Sequence, residues 1–481
     1  MESLDPKDWA AFGELAHRMV DEMLEHLRTL PDQPAWREMP AGVSTSIQEE
    51  PLPRHAQGEQ HVYEQFVRDV LPYPNGNLGP RFYGWVQGNG MPLAMMADML
   101  ASGMNPHMAG FNQAPKLVEE KVIEWLREAM DFPKGSSGLL MSGGSMASTT
   151  GLAIARNARA GYDVRDQGLC GSGQMAVYGS TETHSWARRA VELLGLGRQS
   201  LRLIQTNEDL TINVSELRAS IRQDRDRGIK PMAVLATAGT VNTGATDDMN
   251  AIADLCEEEE LWMHVDGAFG ALLKLAPNLR GRVNGMERAD SLAFDLHKWM
   301  YLPFEIACLL VRDGAAHKAA FSQEASYIAA LDRGVIKGGL TFGEMGIELT
   351  RGFKALKAWM CLKAYGLEQF GRIIEQNVAQ AQLLAKMVNQ NPSLELVSPV
   401  PLNIVCFRFV AEGLSLDELN QTNKKILFLL QERGLAVPSS TVIDGKFCLR
   451  ACIVNHRTTN EDIEALARDA AAIGDEVLGK G

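Results

Sequence analysis

Between residues 139 and 311 the chain repeats one pattern: a short apolar run, then a longer stretch of helical character. The runs are Leu139–Met141, Met175–Tyr178, Met232–Thr237, Leu261–Val265, Ser291–Phe294 and Ile306–Val311. Helical stretches lie between them at 145–160, 183–194 and 248–260. Runs that are apolar at consecutive positions, not at every second one, are strands covered on both faces. Their alternation with helices predicts an α/β fold: a mostly parallel central sheet with helices on both faces. Open sheets of this kind build ligand sites beyond the carboxyl ends of their strands. The residues that follow each run are therefore the first candidates for chemistry.

The flanks read differently. Residues 8–30 are helical, with Phe12, Leu15, Met19, Met23, Leu24 and Leu27 at three- and four-residue steps. Residues 31–60 lose that period and gather Pro31, Pro34, Pro40, Pro51 and Pro53, which reads as an extended arm. A helix and arm cannot bury their own apolar face, so they are expected to wrap a partner subunit. Two long helices are expected at 345–365 and 367–390. Beyond them, 394–471 returns to mixed strand and helix, with strands at Ile404–Val410 and Phe447–Ile453 around a helix at 415–433. The expected domains are 1–81 (N-terminal helix and arm), 82–353 (large α/β domain) and 354–481 (small C-terminal α+β domain). A chain of 481 residues calls for two or three such domains.

The net charge of −13 and a pI near 5.4 repel phosphate backbones and anionic lipid, so neither nucleic acid nor membrane is an expected partner. No stretch approaches the ~20 apolar residues of a membrane span. The acidic start, Met1-Glu2-Ser3-Leu4-Asp5, is no secretory signal. Seven cysteines, widely spaced and without a CxxC, predict neither a disulfide framework nor a metal site, and fit the cytoplasm.

Four motifs fall at strand ends. Asp295-Leu296-His297-Lys298-Trp299 follows the run Ser291–Phe294, and a lysine there can form a Schiff base with a carbonyl cofactor. Asp266, in His264-Val265-Asp266-Gly267-Ala268-Phe269, can pair with a protonated ring nitrogen and keep that ring electron-poor. Ser142-Gly143-Gly144-Ser145 joins a strand to a helix, where glycines, helix amides and a hydroxyl suit a phosphate. His184, in Thr183-His184-Ser185-Trp186, can stack on an aromatic cofactor or move a proton. Each has a blander reading alone: a solvated lysine, a helix-capping aspartate, an ordinary glycine turn, a surface histidine. Together they match the aldehyde, ring nitrogen, phosphate and ring face of pyridoxal phosphate. No nucleotide-binding glycine motif occurs.

With these residues in hand, the chain resembles the group II pyridoxal-phosphate-dependent decarboxylases: the aromatic-L-amino-acid, histidine, glutamate and cysteine-sulfinate enzymes. The resemblance covers about residues 10–470 and rests above all on His264-Val265-Asp266 and His297-Lys298-Trp299, with Phe82-Tyr83-Gly84-Trp85 and Phe447-Cys448-Leu449-Arg450. It implies fold type I, a homodimer with sites at the subunit interface, and decarboxylation of an L-amino acid to an amine. It further implies Lys298 as the Schiff-base lysine, Asp266 as the ring-nitrogen partner, His184 stacked on the ring and Ala268 beneath it. Gly144, Ser145 and His297 match phosphate-contacting positions, and Thr237 a position near the cofactor's O3′. Asp295 stands where many members have asparagine; a carboxylate is a poor direct partner for phosphate. Arg450 matches the arginine associated with the substrate carboxylate. Tyr327 matches a loop tyrosine that returns a proton to the α-carbon. Trp85 and Phe111 are read as lining an apolar or aromatic substrate side chain. The segment 105–115 is about two residues shorter than in the aromatic-amino-acid enzymes. An aminotransferase, an aldehyde synthase and an inactive scaffold remain as alternatives; an intact lysine, aspartate and histidine set argues against the last.

Overall fold

The computed structural model describes residues 2–171, 173–323, 332–339 and 341–479. They form two compact units. One comprises Val86–Gln382 and Ser398–Val405; the other comprises Met1–Trp85, Leu383–Val397 and Cys406–Gly481. The N-terminal arm, expected as a separate part, thus shares a unit with C-terminal segments. The reason is a long-range pairing: Phe82–Tyr83 runs parallel to Val437 and Pro438.

The larger unit is built on seven strands: β1 (Ser137–Met141), β2 (Met175–Ser180), β3 (Leu201–Ile204), β4 (Lys230–Thr237), β5 (Trp262–Asp266), β6 (Ser291–Asp295) and β7 (Ala307–Val311). Their order is β1-β7-β6-β5-β4-β2-β3. β7 runs antiparallel to both neighbours, and every other pairing is parallel. Six strands coincide with the apolar runs, and their residues are almost wholly buried. The seventh, β3, was not expected. It is an edge strand in which only Ile204 is buried, so it has no continuous apolar run to read. Pro231 is tolerated in β4 because it sits at the strand's start, and the β2–β4 register shifts opposite it at Ala176/Val177.

Helices Gly144–Arg159, Trp186–Leu193 and Met249–Glu258 lie within one to three residues of the predicted bounds. The long helix Ala355–Gln390 breaks at Gly366, whose φ of 72° leaves the helical region. That is the expected break between two helices, but the first of them begins at 355, not 345. Residues 345–354 are drawn away from helix by long-range bonds. The Arg351 guanidinium donates to the carbonyls of Met108 (2.9 Å) and Leu140 (2.6 Å) and to Glu119 Oε1 (2.6 Å). The Arg351 carbonyl accepts from Met108 N. Arg351 and Glu119 are both buried; burial raises the Glu119 pKa, and the guanidinium opposes that. This pair pins the loop 105–113 from behind. On its other side, Phe111 N donates to Gly339 O and Asn112 N to Val335 O.

A second sheet, which but for Ile404 and Val405 belongs to the smaller unit, has five strands in the order Phe82–Tyr83, Val437–Ile443, Lys446–Cys452, Ile404–Phe409, Leu394–Leu396. Helices Leu416–Glu432 and Asn460–Val477 each start from a capping box, Ser415 with Glu418 and Thr459 with Asp462. The first helix, Trp9–Thr29, is capped by Asp8, which accepts from Ala10 N and Ala11 N. The arm is less extended than expected. Ala41–Gln48 is helical, because Pro40 stands just ahead of it, where a missing N–H costs nothing. An apolar groove of about 720 Å³, lined by Phe12, Met19, Met23, Val62, Tyr63 and Phe66, stays open between the first helix and Glu59–Gln65. Among the described residues no helix is long and apolar enough to cross a membrane.

Candidate active site

Three neighbouring parallel strands deliver the chemistry. β4 ends in Thr237, β5 in Asp266 and β6 in Asp295, with Thr237 opposite Asp266 and Asp266 opposite Ala293. Beyond the strand ends the turns are tied together: Gly267 N donates to Ala293 O, and Asp295 N donates to Ala268 O. This fixes Ala268 between Asp266 and the short helical turn Leu296–Trp299 that carries Lys298.

Lys298 Nζ lies 2.8 Å from Asp295 Oδ2. The carboxylate is 2% exposed and the lysine side chain 23%, so the pair is held at the edge of a low-dielectric pocket. His297 Nε2 is 3.9 Å from the same oxygen, and His297 Nδ1 is 2.8 Å from Ile306 O. The His297 pKa is lowered, chiefly by burial and further by Lys298, against the pull of Asp295. Asp295 also presses on the start of helix Gly144–Arg159. A Cβ added to Gly144 would lie 2.9 Å from Asp295 Oδ2, and only glycine leaves room. Ser145 follows on the exposed side of that turn.

Asp266 is 6% exposed and uses both oxygens: Oδ1 accepts from Ala268 N (3.1 Å), Oδ2 from the Trp186 indole (2.6 Å). His184 precedes helix Trp186–Leu193, and its Nδ1 accepts from Trp186 N at 3.2 Å. The His184 side chain is solvent-exposed, yet its pKa is lowered, by burial first and by Lys298 and Arg189, with Asp266 and Asp295 opposing. Solvent screening keeps such a shift modest. Thr237 N donates to the buried Asp247, whose other oxygen accepts from Ile212 N; burial pushes Asp247 up to about 6.

Lys298, Asp266, His184, Thr237, Ala268, Asp295, His297, Gly144 and Ser145 thus lie in one unit, at one edge of one sheet. Phe111 is in the same unit, on loop 105–113, with its ring edge-on to His107 at 5.5 Å. Trp85 and Arg450 belong to the other unit. There the Arg450 guanidinium is buried and donates to Trp85 O (3.0 Å) and Ser439 Oγ (3.1 Å), so it holds the Trp85 backbone at its unusual φ of 53°. Tyr327 lies outside the described residues. Two contributors went unread in the sequence. Trp186 stood inside a quoted motif without a role, because its partner is 80 residues away. Asp247 went unread because its partners, Ile212 N and Thr237 N, lie 35 and 10 residues earlier.

Pyridoxal phosphate fits this set. Thr237 Oγ1 is buried without a hydrogen-bond partner among the described residues, as expected where a polar ligand seats. A lysine amine, an oriented carboxylate and a glycine turn at the start of a 16-residue helix supply complementary contacts for aldehyde, ring nitrogen and phosphate.

The sheet order, with Lys298 just past the end of β6 and Asp266 ending β5 beside it, is that of a pyridoxal-phosphate enzyme of fold type I. Residues 42–410 match the pyridoxal-dependent decarboxylase conserved domain, and the chain belongs to that family. It is an amino acid decarboxylase whose cofactor is pyridoxal phosphate. It is 33% identical to an aromatic-L-amino-acid decarboxylase of Bacillus atrophaeus over 96% of this chain and 95% of that one. It is 25% identical to a phenylacetaldehyde synthase of Arabidopsis thaliana, covering 94% and 93%. The fold superposes on that of Oryza sativa TDC, solved with PLP and tryptamine, with a TM-score of 0.90 at 23% identity, covering 99% and 100%.

Proposed function

We propose that the substrate is an L-amino acid with an apolar or aromatic side chain, converted to its amine and carbon dioxide. The observation that carries the site assignment is the ion pair of Lys298 with the buried Asp295 carboxylate, beside Asp266 on the adjacent strand. When bound, pyridoxal phosphate supplies a conjugated ring that accepts the electron pair left as carbon dioxide departs.

The chain's own groups have separate tasks. Lys298 would hold the cofactor's aldehyde and Asp266 its ring nitrogen. His184 and Ala268 would flank the ring. Gly144, Ser145 and His297 would hold the phosphate, and Thr237 would meet the ring oxygen. On the resemblance alone, Arg450 is proposed for the substrate carboxylate, and Trp85 and Phe111 for its side chain. The aromatic preference is supported by the names of the relatives. We further propose a homodimer, supported by the open apolar groove and by Trp9, left 67% exposed. A cytoplasmic home fits seven free cysteines.

A screen of common L-amino acids for carbon dioxide release tests the substrate class. Glutamate or aspartate as the best substrate by far would overturn it.

Tyr327 is proposed as the acid that returns a proton to the α-carbon; a phenol with a pKa of about 10 stays protonated at neutral pH and can still donate. Tyr327→Phe is expected to divert product from amine to aldehyde, ammonia and hydrogen peroxide, with dioxygen and water consumed. Peroxide in step with carbon dioxide in the unaltered enzyme, or only amine at full rate from the variant, would remove that role.

Asp295 faces the phosphate seat as a like charge and holds Lys298 in an ion pair. Asp295→Asn relieves both, so cofactor affinity should rise about tenfold, the scale of one screened like-charge contact. Titrating the apoenzyme with pyridoxal phosphate measures it; weaker binding would mean that Asp295 assists the phosphate through a shared proton.

A further inference from the structure

Trp186 opens the helix Trp186–Leu193 and is 3% exposed. Its two N–H groups both end on residues of the site. The backbone N–H reaches His184 Nδ1 at 3.2 Å, and the indole N–H reaches Asp266 Oδ2 at 2.6 Å. An indole nitrogen only donates, so Oδ2 is an acceptor here. By the same reasoning His184 Nδ1 is an acceptor, and a neutral imidazole then carries its proton on Nε2. The lowered His184 pKa agrees with a neutral ring.

The indole has little freedom to turn. Its ring meets His264 edge-to-face, with centroids 5.5 Å apart and planes at 74°. His264 is itself fully buried, pushed down to about 3 by burial, and therefore neutral. His264 Nδ1 is 2.8 Å from Ser291 Oγ, which accepts from the Trp262 indole at 2.8 Å. Trp186 is thus packed on a linked set of β5 and β6 side chains, Trp262, His264 and Ser291, with its indole N–H reaching Asp266.

We infer that Trp186 is a positioning residue that locks Asp266 and His184 together, fixing which carboxylate oxygen faces the cofactor nitrogen and which imidazole tautomer faces the ring. The inference rests on the roles proposed above for Asp266 and His184. With Oδ2 occupied by the indole and Oδ1 by Ala268 N, the carboxylate cannot rotate freely, and its remaining lone pairs point in set directions. Preorganisation of this kind costs nothing at the moment of reaction.

The test uses pyridoxal phosphate labelled with ¹⁵N in the ring, bound to the unaltered protein, to Trp186→Phe and to Asp266→Asn. The nitrogen shift is followed against pH, with Lys298, Asp295 and Arg189 as the other charged groups around His184. In the unaltered protein the nitrogen should stay protonated throughout the neutral range. Trp186→Phe keeps an aromatic ring but lacks the donor; the nitrogen should then titrate within that range. Its cofactor dissociation constant should rise about tenfold, the worth of one charge-assisted hydrogen bond. If that variant does not fold, the benzothienyl isostere of tryptophan at position 186 alone keeps the shape and removes the N–H. An unchanged nitrogen shift with only a lower unfolding temperature would reduce Trp186 to packing and overturn the inference. A nitrogen still protonated in Asp266→Asn would instead overturn the role of Asp266.

Discussion

Lys298→Ala is expected to abolish the visible absorbance of lysine-bound cofactor and to cut turnover about ten-thousand-fold, the upper range for loss of one acid–base group. The variant retains the strand ends, the glycine turn and Asp266, so it should still bind pyridoxal phosphate, though without a covalent bond. It also leaves Asp295 buried without its 2.8 Å partner, at a cost of about 2 kcal/mol in unfolding free energy. Absorption spectra of the purified protein, with and without added cofactor, check the first point; urea unfolding of the apoprotein checks the second. A variant that remains yellow with the cofactor still attached, and active, would assign the attachment to another lysine.

The second large effect falls on Asp266. Asp266→Ala removes the only carboxylate described at the end of β5 and frees the Trp186 indole N–H in a buried place. Turnover should fall roughly a thousandfold, the scale for loss of a preorganised electrostatic partner. Asp266→Asn keeps the size and loses the charge, so it should fall nearly as far. If single-turnover measurements give near-normal rates for either, the cofactor ring lies in a different orientation.

Much of this arrangement can be read in advance, for a physical reason. A strand buried on both faces must be apolar throughout, so Met232–Thr237 and Leu261–Val265 announce themselves, and the residue after each run is placed automatically. Asp266 and Lys298 were legible because their positions depend only on local sequence. Where a strand lies at an edge, that signal vanishes, and Arg202 in Leu201–Ile204 hides β3. Val437–Ile443, which has a strand on each side, is hidden for another reason: Pro438-Ser439-Ser440 breaks its apolar run. Residues 345–354 mislead in the other direction: nothing local reveals that the Arg351 side chain is needed at Glu119, 232 residues earlier. Trp186 failed to register for the same reason, because a hydrogen bond between distant residues leaves no periodic trace.

The pairing of β1 with β7 bears on how the chain is made. Ser137 and Val311 are partners 174 residues apart. At a synthesis rate of roughly 5–20 residues per second, β1 leaves the ribosome about ten to thirty seconds before its partner exists. For that interval Leu139-Leu140-Met141 has no strand to cover it, and an apolar, unpaired edge is a template for aggregation. Yield in a heterologous host should therefore respond to chaperone supply and to growth temperature more than to the stability of the finished enzyme.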